Sequence, residues 1–138
     1  GGLGFAFLWG LPNVELKPGI NIVLEAVGLT NELKDADVVV TGEGCLDFQT
    51  AMGKVPVGVA KTAKNYNCKV IAFAGSVTEE AKNCNEKGID AFFSILPGVC
   101  SLDEAMDTEI AQKNMRNAAE QVFRLILACG KEKSFLHP

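Results

Sequence analysis

The run from Ala36 to Ala60 limits what this chain can fold into more than any other. It reads Ala-Asp-Val-Val-Val-Thr-Gly-Glu-Gly-Cys-Leu-Asp-Phe-Gln-Thr-Ala-Met-Gly-Lys-Val-Pro-Val-Gly-Val-Ala. Val38 to Val40 is β-branched and predicts a short buried strand. Thr41-Gly-Glu-Gly44 follows at once, and glycines so close together let a backbone turn sharply and approach a ligand. Asp47, Gln49, Thr50 and Lys54 then bring an acid, an amide, a hydroxyl and an amine into one expected loop. Beyond Gly53 the residues become helix-compatible through Lys64. Strand, polar glycine loop and helix is the order in which open α/β sheets bind ligands, at the carboxyl ends of their strands.

The flanks repeat that alternation. Val70 to Gly75 predicts a second buried strand, followed by Ser76. Thr78-Glu-Glu-Ala81 can cap a helix that runs to Lys87 and stops at Gly88. Ile89 to Leu96 predicts a third strand, halted by Pro97-Gly98. Ser101-Leu-Asp-Glu104 has the capping-box pattern and starts a short helix through Met106. A longer helix is expected from Thr108 to Cys129, with Ile110, Met115, Ala118, Val122, Leu125 and Ile126 on its apolar side. Upstream, Gly1 to Trp9 is glycine-rich, then apolar and helix-like, and lacks an initiator Met, which suggests a cut from a longer protein. Lys17 to Gly28 predicts a helix with Pro18 in its first turn and Ile20, Val23, Leu24 and Val27 on one face. Lys131 to Pro138 reads as a frayed tail. Alternating strands and helices imply an α/β fold, a parallel sheet with helices on both faces. Three strands are fewer than the five or so of a complete doubly wound domain, so the sheet is expected to be partial.

Composition excludes several classes. A chain of 138 residues that is 48% hydrophobic can bury one core. Its net charge is −4 and no basic stripe is visible, which argues against nucleic-acid binding. No apolar run reaches membrane-spanning length, and no signal peptide opens the chain. The five cysteines are scattered without a C-x-x-C pair, the pattern of reduced thiols in a cytoplasmic protein. The single histidine, His137, rules out a His-rich metal site and leaves carboxylate-bound Mg²⁺ open.

Each candidate residue carries two readings. Thr41-Gly-Glu-Gly44 is either a plain turn or a ligand loop. It is not a dinucleotide fingerprint, because Asp47 stands where the third glycine belongs. Gly53-Lys54 is not a phosphate-binding P-loop, since Val55 replaces Ser/Thr and Phe48 replaces the first glycine. Asp47 either caps a helix or serves as a general base or hydroxyl-orienting carboxylate. Glu43 is a solvated acid or a Mg²⁺ ligand. Lys54 is a surface lysine or offsets charge on a transferring phosphoryl group. Gly75-Ser76 suits an anion at a helix N-terminus.

Thr41 to Ala60 as a whole resembles the signature of the bacterial glycerate kinases of the first type. Leu16 to Gly28, Val70 to Ser76, Leu96-Pro-Gly98 and Ser101-Leu102 agree with it in order and spacing, and Gly1 to Ala6 resembles that family's glycine- and alanine-rich segment. The resemblance implies the C-terminal portion of a longer, two-domain kinase with a Rossmann-like domain. Residues 1–34 would end an inserted α/β domain and cross back, 35–130 would belong to the Rossmann-like domain, and 131–138 would form a tail. The implied activity is ATP- and Mg²⁺-dependent phosphorylation of D-glycerate in an interdomain cleft. Asp47 would activate or orient the acceptor hydroxyl, Gln49 and Thr50 would hold glycerate, and Gly42, Gly44 and Lys54 would face phosphate. Cys45 and Phe48 depart from the family's usual Arg and small polar residue, and cysteine cannot grip an anion bidentately. The other reading is a stand-alone, non-catalytic module for an anionic metabolite. The isolated chain is expected to be inactive, because phosphoryl transfer positions groups from both sides of a cleft. Its open sheet edge is expected to favour self-association.

Overall fold

The computed structural model describes residues 3–131. Its centre is a parallel sheet of three strands, β1 (Val38–Leu46), β2 (Lys69–Val77) and β3 (Ala91–Ser94), in that spatial order. Val38 pairs with Lys69, and Ile71 with Ala91. Parallel neighbours need a crossover. The first contains α4 (Phe48–Ala51) and α5 (Val55–Lys64), and the second a 3-10 segment, Glu79–Lys87. Val70 to Ala74 of β2 are all buried, as an apolar run in a strand covered on both faces should be.

Each face has its own core. On one, Val57, Ala60 and Ala63 of α5 meet Val70 and Ala72, joined by Leu33, Leu46, Ala81, Cys84 and Ile89. On the other, Val122 and Ala118 of the long C-terminal helix (Thr108–Lys131) cover Ile71, Phe73 and Phe93. The Phe73 and Phe93 rings are 6.0 Å apart at an angle of 35°. Helices on both sides of a parallel sheet confirm the α/β expectation.

Upstream lie α1 (Leu3–Gly10), α2 (Gly19–Ala26), α3 (Leu29–Glu32) and a 3-10 turn, Leu33–Asp35. Pro18 stands at the N-cap of α2, and Gly28 adopts a left-handed φ of 65° just past its end. Of the expected apolar face only Leu24 is buried, while Val23 and Val27 are exposed. Ile20 docks instead on Gly58 of α5, where a Cβ would come within 2.4 Å of it. No residue of α1 is buried.

Three boundaries differ from expectation. β1 and β2 run well past Val40 and Gly75, because ladder pairing carries them on to Leu46 and Val77. β3 is shorter than Ile89 to Leu96. Ile89 is instead buried in the core, and Asp90 bends outward to bond Lys64 and the Val70 N–H. Ser101 and Glu104 form the expected capping box ahead of α6 (Leu102–Met106), which leads into the long helix, α7. Along α7, Ile110, Met115, Leu125 and Ile126 stay exposed, and it is Ala118, Ala119 and Val122 that pack on the sheet. Lys131 is the last described residue of α7, and the rest of the expected tail lies outside the described residues.

Candidate functional site

The carboxyl ends of β1 and β2 carry the predicted residues, but not as a loop. Thr41, Gly42, Glu43 and Gly44 are strand residues of β1. Gly75 and Ser76 lie within β2 rather than at a helix N-terminus, and the next helical segment starts only at Glu79. Thr41 to Gly44 does not form the sharp turn expected of it. The glycines of both strands have a different physical reason. A Cβ on Gly42 would sit 2.3 Å from the Phe73 carbonyl oxygen, and one on Gly75 would sit 2.8 Å from that of Gly44. The ladder also skips a pair here, passing from Glu43–Ala74 to Cys45–Ser76. Glycine is what lets the strands come so close.

The real turn is at Asp47. Its carboxylate Oδ1 accepts the Thr50 N–H at 2.9 Å, and its own N–H donates to Thr50 Oγ1 at 3.2 Å. This reciprocal cap starts the single turn of α4. Gly53 then takes a φ of 116°, open to glycine and strained for other residues, and Lys54 becomes the N-cap residue of α5 ahead of Pro56. The turn folds Lys54 back, so that its Nζ is 3.5 Å from Asp47 Oδ1. The Asp47 side chain is 24% exposed and that of Lys54 40%.

Hydrogen bonding sets the charge state of this corner. The Thr50 backbone N–H, helped by the Lys54 ammonium and the Thr50 hydroxyl, holds the Asp47 carboxyl below its ordinary value against a smaller opposing effect of desolvation. Asp47 is therefore ionised at neutral pH and a weak proton acceptor. Thr50 is fully buried, and its hydroxyl also contacts the Glu43 carboxylate. Its side chain is turned inward, whereas Gln49, expected to hold substrate beside it, is exposed. Gln49 is exposed on α4, Phe48 is half-exposed, and Cys45 is partly buried. Glu43 and Asp47 thus form a pair of carboxylates around one hydroxyl. Among the described residues no group of three or more His, Cys, Asp or Glu gathers as a metal cluster.

Two features escaped sequence reasoning. Cys84 is buried beside the acidic corner, and burial first, then the charges of Glu43 and Asp47, push its thiol up. A cavity of about 640 Å³ also opens at the strand ends, between Gly44, Phe73, Leu96, Cys100, Met106 and Met115. Those residues come from elements scattered along the chain, so no local pattern announces them. Among the described residues no helix is long and apolar enough to cross a membrane.

Comparison with known proteins agrees with the family resemblance. Residues 1–127 match the Glycerate kinase family. The chain is 45% identical over 124 residues to a glycerate kinase of Bacillus subtilis (strain 168), covering 88% of this chain and 32% of that protein. It is 47% identical over 105 residues to a glycerate 2-kinase of Escherichia coli (strain K12), covering 76% of this chain and 27% of the relative. A crystal structure from Salmonella typhimurium LT2, described as a glycerate kinase 2, superposes with a TM-score of 0.64 at 40% identity, covering 91% of this chain and 30% of that one. The chain thus spans about a third of the length of these relatives. A family match over almost all its length, carried by a parallel sheet with the signature residues at its strand ends, shows that the chain belongs to the glycerate kinase family.

Proposed function

We propose that this chain is the C-terminal portion of a cytoplasmic, two-domain glycerate kinase of the first type, which uses ATP and Mg²⁺ to phosphorylate D-glycerate. Residues 1–34 would close the inserted domain, and 35–130 would complete the Rossmann-like one. The observation that carries this reading is the Asp47–Lys54 pair, 3.5 Å apart at the strand ends of a chain with this family match.

Phosphoryl transfer passes through a loose transition state in which positioning and charge stabilisation matter more than covalent help from the protein. An Asp47 held ionised by Thr50 and Lys54 suits that demand. It orients the acceptor hydroxyl by accepting its hydrogen bond; as the new P–O bond forms, the P–O bond to the ADP oxygen would break, and the hydroxyl proton would pass late to the Asp47 carboxylate. Lys54 is half-exposed and reaches the same corner, where it offsets charge on the phosphoryl oxygens. Mg²⁺ commonly takes one or two carboxylates plus phosphate and water, and the Glu43–Asp47 pair fits that donor set. When bound, the ion neutralises phosphate charge. Gln49, exposed beside Asp47, is placed to hold glycerate. Thr41, Gly42, Gly44, Gly53, Gly75 and Ser76 supply backbone that phosphate can approach. The apolar cavity alongside has the size of a small-molecule site and would receive the nucleotide base. Groups from the opposite side of the cleft complete the site, so the isolated chain is inactive on this reading.

The test is ADP release by the full-length protein with Mg²⁺-ATP and D-glycerate, with L-glycerate as control. D-specific turnover that falls by about a hundredfold or more in Asp47→Asn supports the reading. Absence of ADP release with D-glycerate sinks it.

A further inference from the structure

We infer that Thr50 is a positioning residue, a buried hydroxyl that holds Glu43 and Asp47 together as one acidic unit and touches no ligand. Its kinetic consequence rests on the kinase reading above; its structural content does not.

Among the described residues Thr50 is the one polar side chain counted as buried. Burying a hydroxyl is costly unless its bonds are made. A hydroxyl has one proton to give and two lone pairs to accept with. The Asp47 N–H fills one lone pair at 3.2 Å. The proton then has three acceptors in reach, the Cys45 carbonyl oxygen at 3.5 Å, Asp47 Oδ1 at 3.2 Å and Glu43 Oε1, which lies closest. Asp47 Oδ1 is already served by the Thr50 N–H at 2.9 Å and by the Lys54 ammonium at 3.5 Å. Glu43 has no other hydrogen-bond or ion-pair partner among the described residues. The proton therefore bridges the two carboxylates, nearer to Glu43 and still within reach of Asp47.

The consequence is a chain of contacts with one weak point. Lys54 meets Asp47, Asp47 is locked to Thr50 by the cap, and Thr50 alone ties β1's Glu43 to that cap. Removing the hydroxyl while keeping the side-chain shape leaves the Asp47 N–H without its partner and lets the Glu43 carboxylate swing. Both carboxylates would keep their charge and lose their relative position. Phosphoryl transfer is sensitive to displacements on the order of 1 Å, so the loss falls on kcat. Glycerate would bind much as before, because Thr50 never reaches it.

Two variants of the full-length protein test this: Thr50→Val, which keeps the shape, and Thr50→Ser, which keeps the hydroxyl. Steady-state ADP release gives kcat and KM, and NMR hydrogen exchange at the Asp47 amide reads the cap without needing activity. In Thr50→Val, kcat should fall about thirtyfold or more with KM for glycerate within about threefold. The Asp47 amide should exchange at least about tenfold faster, while that of Val70 in β2 is unchanged. Thr50→Ser should restore both to within about threefold of the parent. A Thr50→Val protein with intact kcat and a KM raised about tenfold would make Thr50 a substrate ligand and overturn the inference. Unchanged Asp47 exchange in Thr50→Val would overturn it as well. If the parent shows no glycerate-dependent turnover, the kinase reading falls, and Asp47 exchange alone judges the Thr50 link.

Discussion

Lys54 Nζ stands 3.5 Å from Asp47 Oδ1, and the acid that it faces is also the N-cap of α4. On the proposed reading one residue thus does a structural and a chemical task, and the two can be separated. Asparagine caps helices about as well as aspartate. Asp47→Asn should keep stability to within about 1 kcal/mol while losing about a hundredfold in kcat. Denaturant titration beside ADP-release kinetics measures both.

The same pair sets a pH response. The Asp47 carboxyl is held low by the Thr50 N–H first, with Lys54 and the Thr50 hydroxyl adding to it. Activity that needs the ionised form is present above that lowered value and lost as pH falls through it. In Lys54→Ala the acid limb of the kcat profile should move to higher pH, toward the ordinary aspartate range. A limb that stays in place would show that another group controls it.

Gly42 and Gly44 should respond unequally to alanine. A Cβ on Gly42 meets the Phe73 carbonyl at 2.3 Å, whereas one on Gly44 meets nothing within 4 Å. Backbone cannot move aside as a side chain can, so Gly42→Ala should cost about 1–3 kcal/mol and Gly44→Ala well under that. Thermal unfolding of the two variants checks the order.

Gly58 is the seat of α2. Gly58→Ala would push a methyl to 2.4 Å from Ile20, loosening α2 from α5. We expect about 1–3 kcal/mol of destabilisation, relieved in part when Ile20→Ala is added. Additive costs in the double-mutant cycle would show that the two residues do not meet.

Asp90 links β2, α5 and the start of β3, accepting from Lys64 Nζ at 2.5 Å and the Val70 N–H at 2.6 Å. Burial pushes its carboxyl up, but the Lys64 and Val70 hydrogen bonds and nearby lysine charge together outweigh that and leave it below the ordinary value. A carboxyl depressed on folding stabilises the fold above its unfolded-state value, and that contribution is lost as pH falls through the folded-state value. Asp90→Asn should therefore flatten the acid side of the stability profile, read as the urea midpoint against pH.

Much of this could be read along the chain. The Ser101–Glu104 capping box, the left-handed stops at Gly28 and Gly88, and the cap at Asp47 all follow from side chains acting within a turn of themselves. The buried run of β2 followed from its unbroken apolar character. The character of Thr41 to Gly44 was not legible in the same way. Two glycines beside a strand look like a turn until the partner strand is known, and here Phe73 pairs with Gly42 and Ala74 with Glu43, which extends β1. Val23 and Val27 made a plausible helix face, yet only Leu24, with Ile20 against Gly58, found something to pack on.

Residue order alone was enough for the α/β alternation, the family likeness and the concentration of acid, amide, hydroxyl and amine between Glu43 and Lys54. Helical and strand periodicity, caps and glycine stops are short-range, and their energies depend on neighbours a few residues away. Which of those polar groups is hidden was settled only by the tertiary structure. Thr50 became a buried link, Gly42 a spacer between strands, and Leu96, Cys100 and Met115 the walls of one cavity. Burial and strand contact depend on what distant parts of the chain bring alongside, and no local pattern contains that information.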